Sequence, residues 1–125
     1  MSIGILVVDD NADMRAVIAD LIELEDDMHV AAEADDERTA LAAVASVAPD
    51  VALIDLTLKS GGNGVDLVRL IKAEHPNVRC ILFSAHDDAQ LRKMTELAGA
   101  DGFLNKMRLP EDLPDTVRHT AGSVS

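Results

Sequence analysis

Ile3-Gly4-Ile5-Leu6-Val7-Val8-Asp9-Asp10-Asn11 is the stretch that decides the fold. A near-continuous apolar run suits a strand buried on both faces of a parallel sheet, because such a strand has no solvent face toward which to alternate. The run breaks into two carboxylates, and Asn11 can cap a helix. That helix follows, with Met14, Val17, Ile18, Leu21 and Ile22 recurring at three- and four-residue spacing. Together these pieces make one β–α unit.

The same unit recurs down the chain. Met28–Ala32 reads as a short second strand, followed by a helix over Asp36–Val47 with Ala40, Val44, Val47 and Ala48 on one face and Pro49 as its stop. Val51–Ile54 is the third strand and runs into Asp55. A loop containing Gly61, Gly62, Asn63 and Gly64 leads to a helix that turns Leu67, Leu70 and Ile71 inward and ends before Pro76. Val78–Phe83 is the fourth strand, Asp87 to about Ala98 the fourth helix with Gly99 as C-cap, and Asp101–Leu104 a short fifth strand. The last helix places Leu109 or Leu113, and Val117, inward. Pro110 suits a first helical position, whereas Pro114 lacks the N–H that a continuing ladder needs. Either the helix begins near Pro114 or its first turn is irregular.

Five such units imply an α/β fold, an open parallel sheet with helices on both faces. The length of 125 residues fits one domain. Hydrophobic residues at 48% and charged residues at 27% are the balance of an ordinary globular protein. No apolar run approaches the roughly 20 residues of a membrane span, and the run Ile3–Val8 has no basic flank to make it a signal peptide. These features predict a cytoplasmic protein with no membrane partner. Cys80 is the lone cysteine and sits within an apolar run, where it reads as a small core residue. A formal charge of −12 argues against direct nucleic-acid binding. Two Phe with no Trp or Tyr leave few platforms for stacking bases or a flavin.

In an open parallel sheet the ligand site lies beyond the C-terminal ends of the strands. Asp9 and Asp10 follow the first strand, Asp55 the third, Ser84 the fourth and Lys106 the fifth. Taken singly, each has a structural explanation: a helix cap, a turn, a strand end, a solvated lysine. Taken together, three carboxylates on one small site repel one another unless a hard cation joins them, and all-oxygen ligands suit Mg²⁺. Lys106 can pair with Asp55 and with an added phosphoryl group, and Ser84 offers a hydroxyl donor. These are the parts for phosphoryl transfer to a carboxylate.

The chain resembles the receiver domains of bacterial response regulators of two-component signalling. The likeness rests on Ile5-Leu-Val-Val-Asp-Asp10, Asp50-Val-Ala-Leu-Ile-Asp55, Ile81-Leu-Phe-Ser-Ala85 and Gly99-Ala-Asp-Gly-Phe-Leu-Asn-Lys106, and covers Ile5 to about Arg118. The resemblance implies a flavodoxin-like (βα)5 sheet of strand order 2-1-3-4-5. It implies Asp55 as phospho-acceptor, with Mg²⁺ (or Mn²⁺ in its place) on Asp10, Asp55 and the backbone carbonyl of Thr57, and with Asp9 acting mainly through water. The donor would be a sensor histidine kinase or phosphotransfer protein. Ser84 and Lys106 would contact the phosphoryl oxygens, and Phe103 would act as the aromatic switch that reshapes the helix 4–strand 5–helix 5 face, a possible homodimer surface. Phe103 also reads as an ordinary packed aromatic. Thr57 and His86 stand at the positions that tune dephosphorylation, although His86 also reads as an exposed loop residue. Such a domain is no ordinary enzyme, since it catalyses only its own phosphorylation and dephosphorylation.

The chain departs from the family pattern in two places. Met107 follows Lys106 where the family usually has a cis-bonded proline, which bears on how Lys106 is placed. Lys59 stands where many members have proline, in a loop one residue longer than the common pattern through Gly64.

A flavodoxin-like electron carrier would need a glycine- and hydroxyl-rich loop where Asp9 and Asp10 stand. A phosphohydrolase with an Asp nucleophile would need a second carboxylate at Thr57. A receiver that binds partners without phosphorylation is opposed by the set Asp10, Asp55, Ser84 and Lys106. Residues 1–121 are expected to form the receiver and 122–125 a tail or linker stub. A transcriptional effector beyond this chain is the expected output, with a stand-alone receiver or phosphorelay member as the alternative.

Overall fold

The computed structural model describes residues 2–58, 63–86 and 89–122. Lys59, Gly61, Gly62, Asp87 and the tail Ser123–Ser125, which figure in the expectations above, lie outside the described residues. Five strands alternate with helices: β1 (Ile3–Val8), α1 (Ala12–Glu23), β2 (Met28–Ala34), α2 (Glu37–Val47), β3 (Val51–Asp55), α3 (Gly64–Glu74), β4 (Arg79–Ser84), α4 (Ala89–Leu97), β5 (Gly102–Asn105) and α5 (Leu109–Gly122). A 3₁₀ turn, Lys106–Arg108, joins β5 to α5. The strands form one parallel sheet in the order β2-β1-β3-β4-β5, so the flavodoxin-like order expected from the resemblance holds.

The three central strands are buried on both faces, which explains their unbroken apolar sequences. Alternate residues supply two separate cores, as the pleat requires. Leu6, Val8, Ala52, Ile54, Cys80 and Leu82 pack with Ala40 and Val44 of α2 and Leu67, Val68 and Ile71 of α3. Ile5, Val7, Val51, Leu53, Ile81 and Phe83 pack with Ile18 and Ile22 of α1 and Leu109, Leu113 and Val117 of α5. Cys80 is buried in the first core, and burial pushes its thiol up to about 12, so it behaves as an inert apolar residue.

Several helix faces differ from their sequence reading. Leu70 is exposed and Val68 takes the core position. With a residue every 100° around the helix, Leu67, Val68 and Ile71 form one stripe, and Leu70 falls about 100° from its centre. Val17 and Val47 are exposed as well, and Ala48 has left the helix as a left-handed C-cap at φ 45°. Both Leu109 and Leu113 are buried, not one of the two. The final helix begins at Leu109, not near Pro114. Pro110 sits in its first turn, where an N–H is spare, and Pro114 is carried inside the helix. The irregularity lies ahead of the helix, in the 3₁₀ turn, whose first N–H groups Asn105 caps by accepting from Met107 N at 2.9 Å.

Helix starts are set by side-chain caps. Asn11 Oδ1 accepts from the backbone of Asp13 and Met14, and Asp36 forms a reciprocal capping box with Thr39. Asn63 caps α3 through Asp66 N. These caps fix the starts of α1, α2 and α3 at the end of the sheet where the strands finish and the candidate site lies.

Candidate functional site

Asp9 follows β1 directly, and its N–H extends the β1–β2 pairing by donating to Ala34 O at 3.1 Å. Its side chain is almost fully buried. Oδ1 accepts from Asn11 N at 2.8 Å, while Oδ2 is buried and has no hydrogen-bond partner among the described residues. Burial pushes the Asp9 carboxyl up to about 6, with the charges of Asp55 and Asp10 adding to the rise; the Asn11 N–H and the Lys106 ammonium oppose it. Asp10, half-buried, is the next residue along.

Asp55 ends β3 and is 4% exposed. Its Oδ1 accepts from Thr57 N at 3.0 Å and its Oδ2 from Lys106 Nζ at 3.2 Å. Carboxylate oxygens of Asp9, Asp10 and Asp55 lie within 4.8 Å of one another. Three carboxylates this close repel one another, and a buried Asp9 Oδ2 with no hydrogen-bond partner among the described residues is a costly group to bury. A divalent cation answers both facts. The donor set is all oxygen, which fits a hard ion such as Mg²⁺.

Lys106 reaches Asp55 although Met107 follows it. The Lys106–Met107 peptide is trans, for there is no cis bond among the described residues. The Lys106 ammonium also stands 5.3 Å from the ring centroid of Phe83, which helps hold it in a half-buried position. Proline is therefore not needed to aim this lysine.

Asp9, Asp10, Asn11, Met14, Asp55, Thr57 and Lys106 line one recess of about 210 Å³. Ser84, His86 and Phe103 are not in that lining. Ser84 ends β4, is buried, and its Oγ accepts from His86 N at 3.0 Å; His86 itself is exposed. Phe103 is half-buried against the α2–α3 core, with the Arg92 guanidinium 5.0 Å over its ring. A larger recess, about 570 Å³, lies at the other end of the sheet among Ile3, Val44, Pro49, Pro76 and Val78, and holds none of the clustered carboxylates. Chemistry, not volume, picks out the acidic recess.

Two contributors escaped the sequence reading. Met14 lines the recess one turn into α1, where helical spacing alone assigns it to the core. Gly64 is buried at the start of α3, its N–H donating to Leu56 O at 3.0 Å. A Cβ there would come within 2.4 Å of the Asp55 carbonyl oxygen, so glycine is what lets α3 approach the strand end that carries Asp55.

The Response regulator receiver domain profile matches residues 5–118. The chain belongs to that family. This receiver domain is 31% identical over 104 residues to the DNA-binding transcriptional activator DevR/DosR of Mycobacterium tuberculosis, covering 83% of this chain and 48% of the relative. It is 30% identical over 117 residues to a nitrate/nitrite response regulator protein homolog of Haemophilus influenzae, covering 94% and 56%. The chain spans about half the length of these curated relatives. Among solved structures it is similar to a LuxR-family two-component response regulator from Aurantimonas sp. SI85-9A1, with a TM-score of 0.93 at 28% identity, covering 98% of this chain and 87% of that one. The response regulator domain of Thermotoga maritima CheB gives 0.89 at 27% identity, covering 98% of both chains. No helix among the described residues is long and apolar enough to cross a membrane.

Proposed function

We propose that this receiver domain is a switch set by phosphorylation of Asp55, with Mg²⁺ (or Mn²⁺) as its cofactor and a sensor histidine kinase or phosphotransfer protein as donor. The observation that carries the reading is the trio Asp9, Asp10 and Asp55 within 4.8 Å, with Lys106 on Asp55 and one buried Asp9 oxygen unpartnered. Asp10, Asp55 and the Thr57 backbone carbonyl would hold the metal, and Asp9 would act through water. Bound there, the ion would neutralise charge on the transferred group and its attacking oxygen.

The chain's own residues account for the remaining chemistry. Thr57 N–H and Lys106 hold the two Asp55 oxygens in fixed directions, which limits the orientations the nucleophile samples. A carboxylate oxygen forms a bond to phosphorus as the P–N bond of a phosphohistidine breaks. The imidazole leaves with the electron pair and takes up a proton. Lys106 then pairs with the new phosphoryl oxygens, joined by the Ser84 hydroxyl. Ser84 sits beside Asn105 in the β4–β5 register, and Asn105 is two residues along β5 from Phe103, which supports a path from movement at Ser84 to Phe103 and the α4–β5–α5 face. Met94 and Leu97 of α4 are exposed apolar residues on that side, which supports a homodimer there. Thr57 and His86 tune the lifetime of the phosphorylated form. Residues 1–121 are assigned to the receiver and 122–125 to a tail or linker stub, with α5 running on through Gly122. The output is transcriptional, carried by an effector domain, as supported by the half-length match to transcription regulators.

The test is incubation with a small phosphodonor and Mg²⁺, read by intact mass. One added phosphoryl group is expected, lost when Mg²⁺ is chelated and absent in Asp55→Asn. Labelling that persists in Asp55→Asn sinks the assignment, and steady turnover of phosphomonoesters would favour a hydrolase instead.

A further inference from the structure

We propose that Arg15 is a positioning residue for the acidic site, acting through the Asp9 backbone and itself aimed by Glu33. The inference rests on the metal reading above.

The Arg15 side chain reaches back from the first turn of α1. Nη1 donates to the Asp9 carbonyl oxygen at 2.6 Å, a short charge-assisted bond, and Nε donates to Glu33 Oε1 of β2 at 3.2 Å. The guanidinium is planar, so these two bonds fix its orientation as well as its position. The carbonyl it grips belongs to the peptide plane between Asp9 and Asp10, and peptide planes are rigid. Both clustered carboxylates on this strand end grow from the Cα atoms that flank that plane. Clamping the plane therefore sets the directions from which both side chains start. The neighbouring groups complete the hold: Asp9 N–H is bound by Ala34 O, and Asp9 Oδ1 by Asn11 N.

Arg15 and Glu33 have side chains 19% and 45% exposed. A pair so placed contributes little stability by itself. Its value lies in orientation. The charge of Arg15 works against that value, since a cation near the site repels a second cation. The two roles thus carry opposite signs. If Arg15 matters only as a charge, removing it strengthens Mg²⁺ binding; if it positions the carboxylates, removing it weakens binding.

The experiment is calorimetric titration of the whole chain with Mg²⁺, with unfolding midpoints measured in chelator. Arg15→Ala is expected to weaken Mg²⁺ binding about tenfold, the low end for groups that orient metal ligands. Arg15→Lys keeps the charge but has one donor centre for two sites, and should fall between. Glu33→Ala should weaken binding by a smaller factor with Arg15 intact. Asp55 phosphorylation in these variants should recover to the wild-type rate at saturating Mg²⁺, which a general loosening of the fold would not allow. Unchanged or tighter binding in Arg15→Ala overturns the proposal while wild-type binding leaves the metal reading standing. Absence of Mg²⁺ binding by the wild type would instead overturn the reading beneath it. Should Arg15→Ala not fold, Arg15→Lys decides the matter, since unchanged affinity there has the same force.

Discussion

Replacing Gly64 by alanine puts a methyl group where backbone already stands. The new Cβ would lie 2.4 Å from the Asp55 carbonyl oxygen, 2.9 Å from Leu56 Cα and 2.8 Å from Leu82 Cδ2. Ordinary contact begins at 3.4 Å, so the shortest of these falls about 1 Å short. Leu82 can turn its methyl aside, but the two backbone atoms cannot yield without moving β3 or α3. Overpacking of this kind costs about 1–3 kcal/mol. Stretching the Gly64 N–Leu56 O bond adds about 1 kcal/mol, and alanine's better helix propensity returns up to about 1 kcal/mol. A net loss of about 2 kcal/mol lowers the unfolding midpoint by about 8 °C for a domain of this size. The displaced atoms belong to Asp55 itself, so the nucleophile shifts too. A displacement on the order of 1 Å can slow a positioned reaction about a hundredfold. Urea unfolding and phosphorylation rate at saturating Mg²⁺ measure the two effects. Leu113→Ala, on the far side of the sheet, serves as control: it should lose at least as much stability and keep its rate. A Gly64→Ala protein within about 0.5 kcal/mol of wild type, or one that loses stability and phosphorylates normally, would refute the packing argument.

Lys106→Ala should still accept phosphate, about a hundredfold more slowly, since one positioned charge is removed from the developing phosphoryl group. It should also fail to transmit the change, seen as unaltered amide exchange around Phe103 after labelling. An unaltered rate and response would mean the Lys106–Asp55 contact is incidental. In the metal-free protein Asp9 titrates near 6 while an unfolded chain releases that proton near 3.8. Between those values the folded state holds the proton and the unfolded state has lost it, so this group makes stability fall as pH rises. Asp27, paired with Arg118, and Asp36, which accepts from the Thr39 N–H and hydroxyl, are held low and act with the opposite sign, losing stability as pH falls below the usual carboxylate range. Carboxyl NMR should place Asp9 well above Asp27 and Asp36, and Asp55→Asn should lower it. Mg²⁺ binding should weaken as pH drops through about 6, where Asp9 takes up its proton; affinity that is flat from pH 7 to 5 would count against this.

The strands, their order along the chain and the residues at their ends were legible in sequence because the signals are local. A run such as Ile5–Val8 has no solvent face, and Asp9, Asp10, Asp55, Ser84 and Lys106 mark where each run stops. Helix faces were legible until apolar residues flanked the central line on both sides, as Val68 and Leu70 flank Leu67 and Ile71; the sheet beneath chose Val68. Asp87 and the Gly61–Gly62 loop fall outside the described residues. Tertiary structure alone decided what depends on distance through space. It brought Lys106 to Asp55 without a proline, left Asp9 Oδ2 buried with no hydrogen-bond partner among the described residues, and set Arg15 Nη1 against the Asp9 carbonyl oxygen. It also made Gly64 the point where α3 touches the strand carrying Asp55. Apolar periodicity is written along one segment, whereas a contact between two segments depends on how both are packed against the sheet.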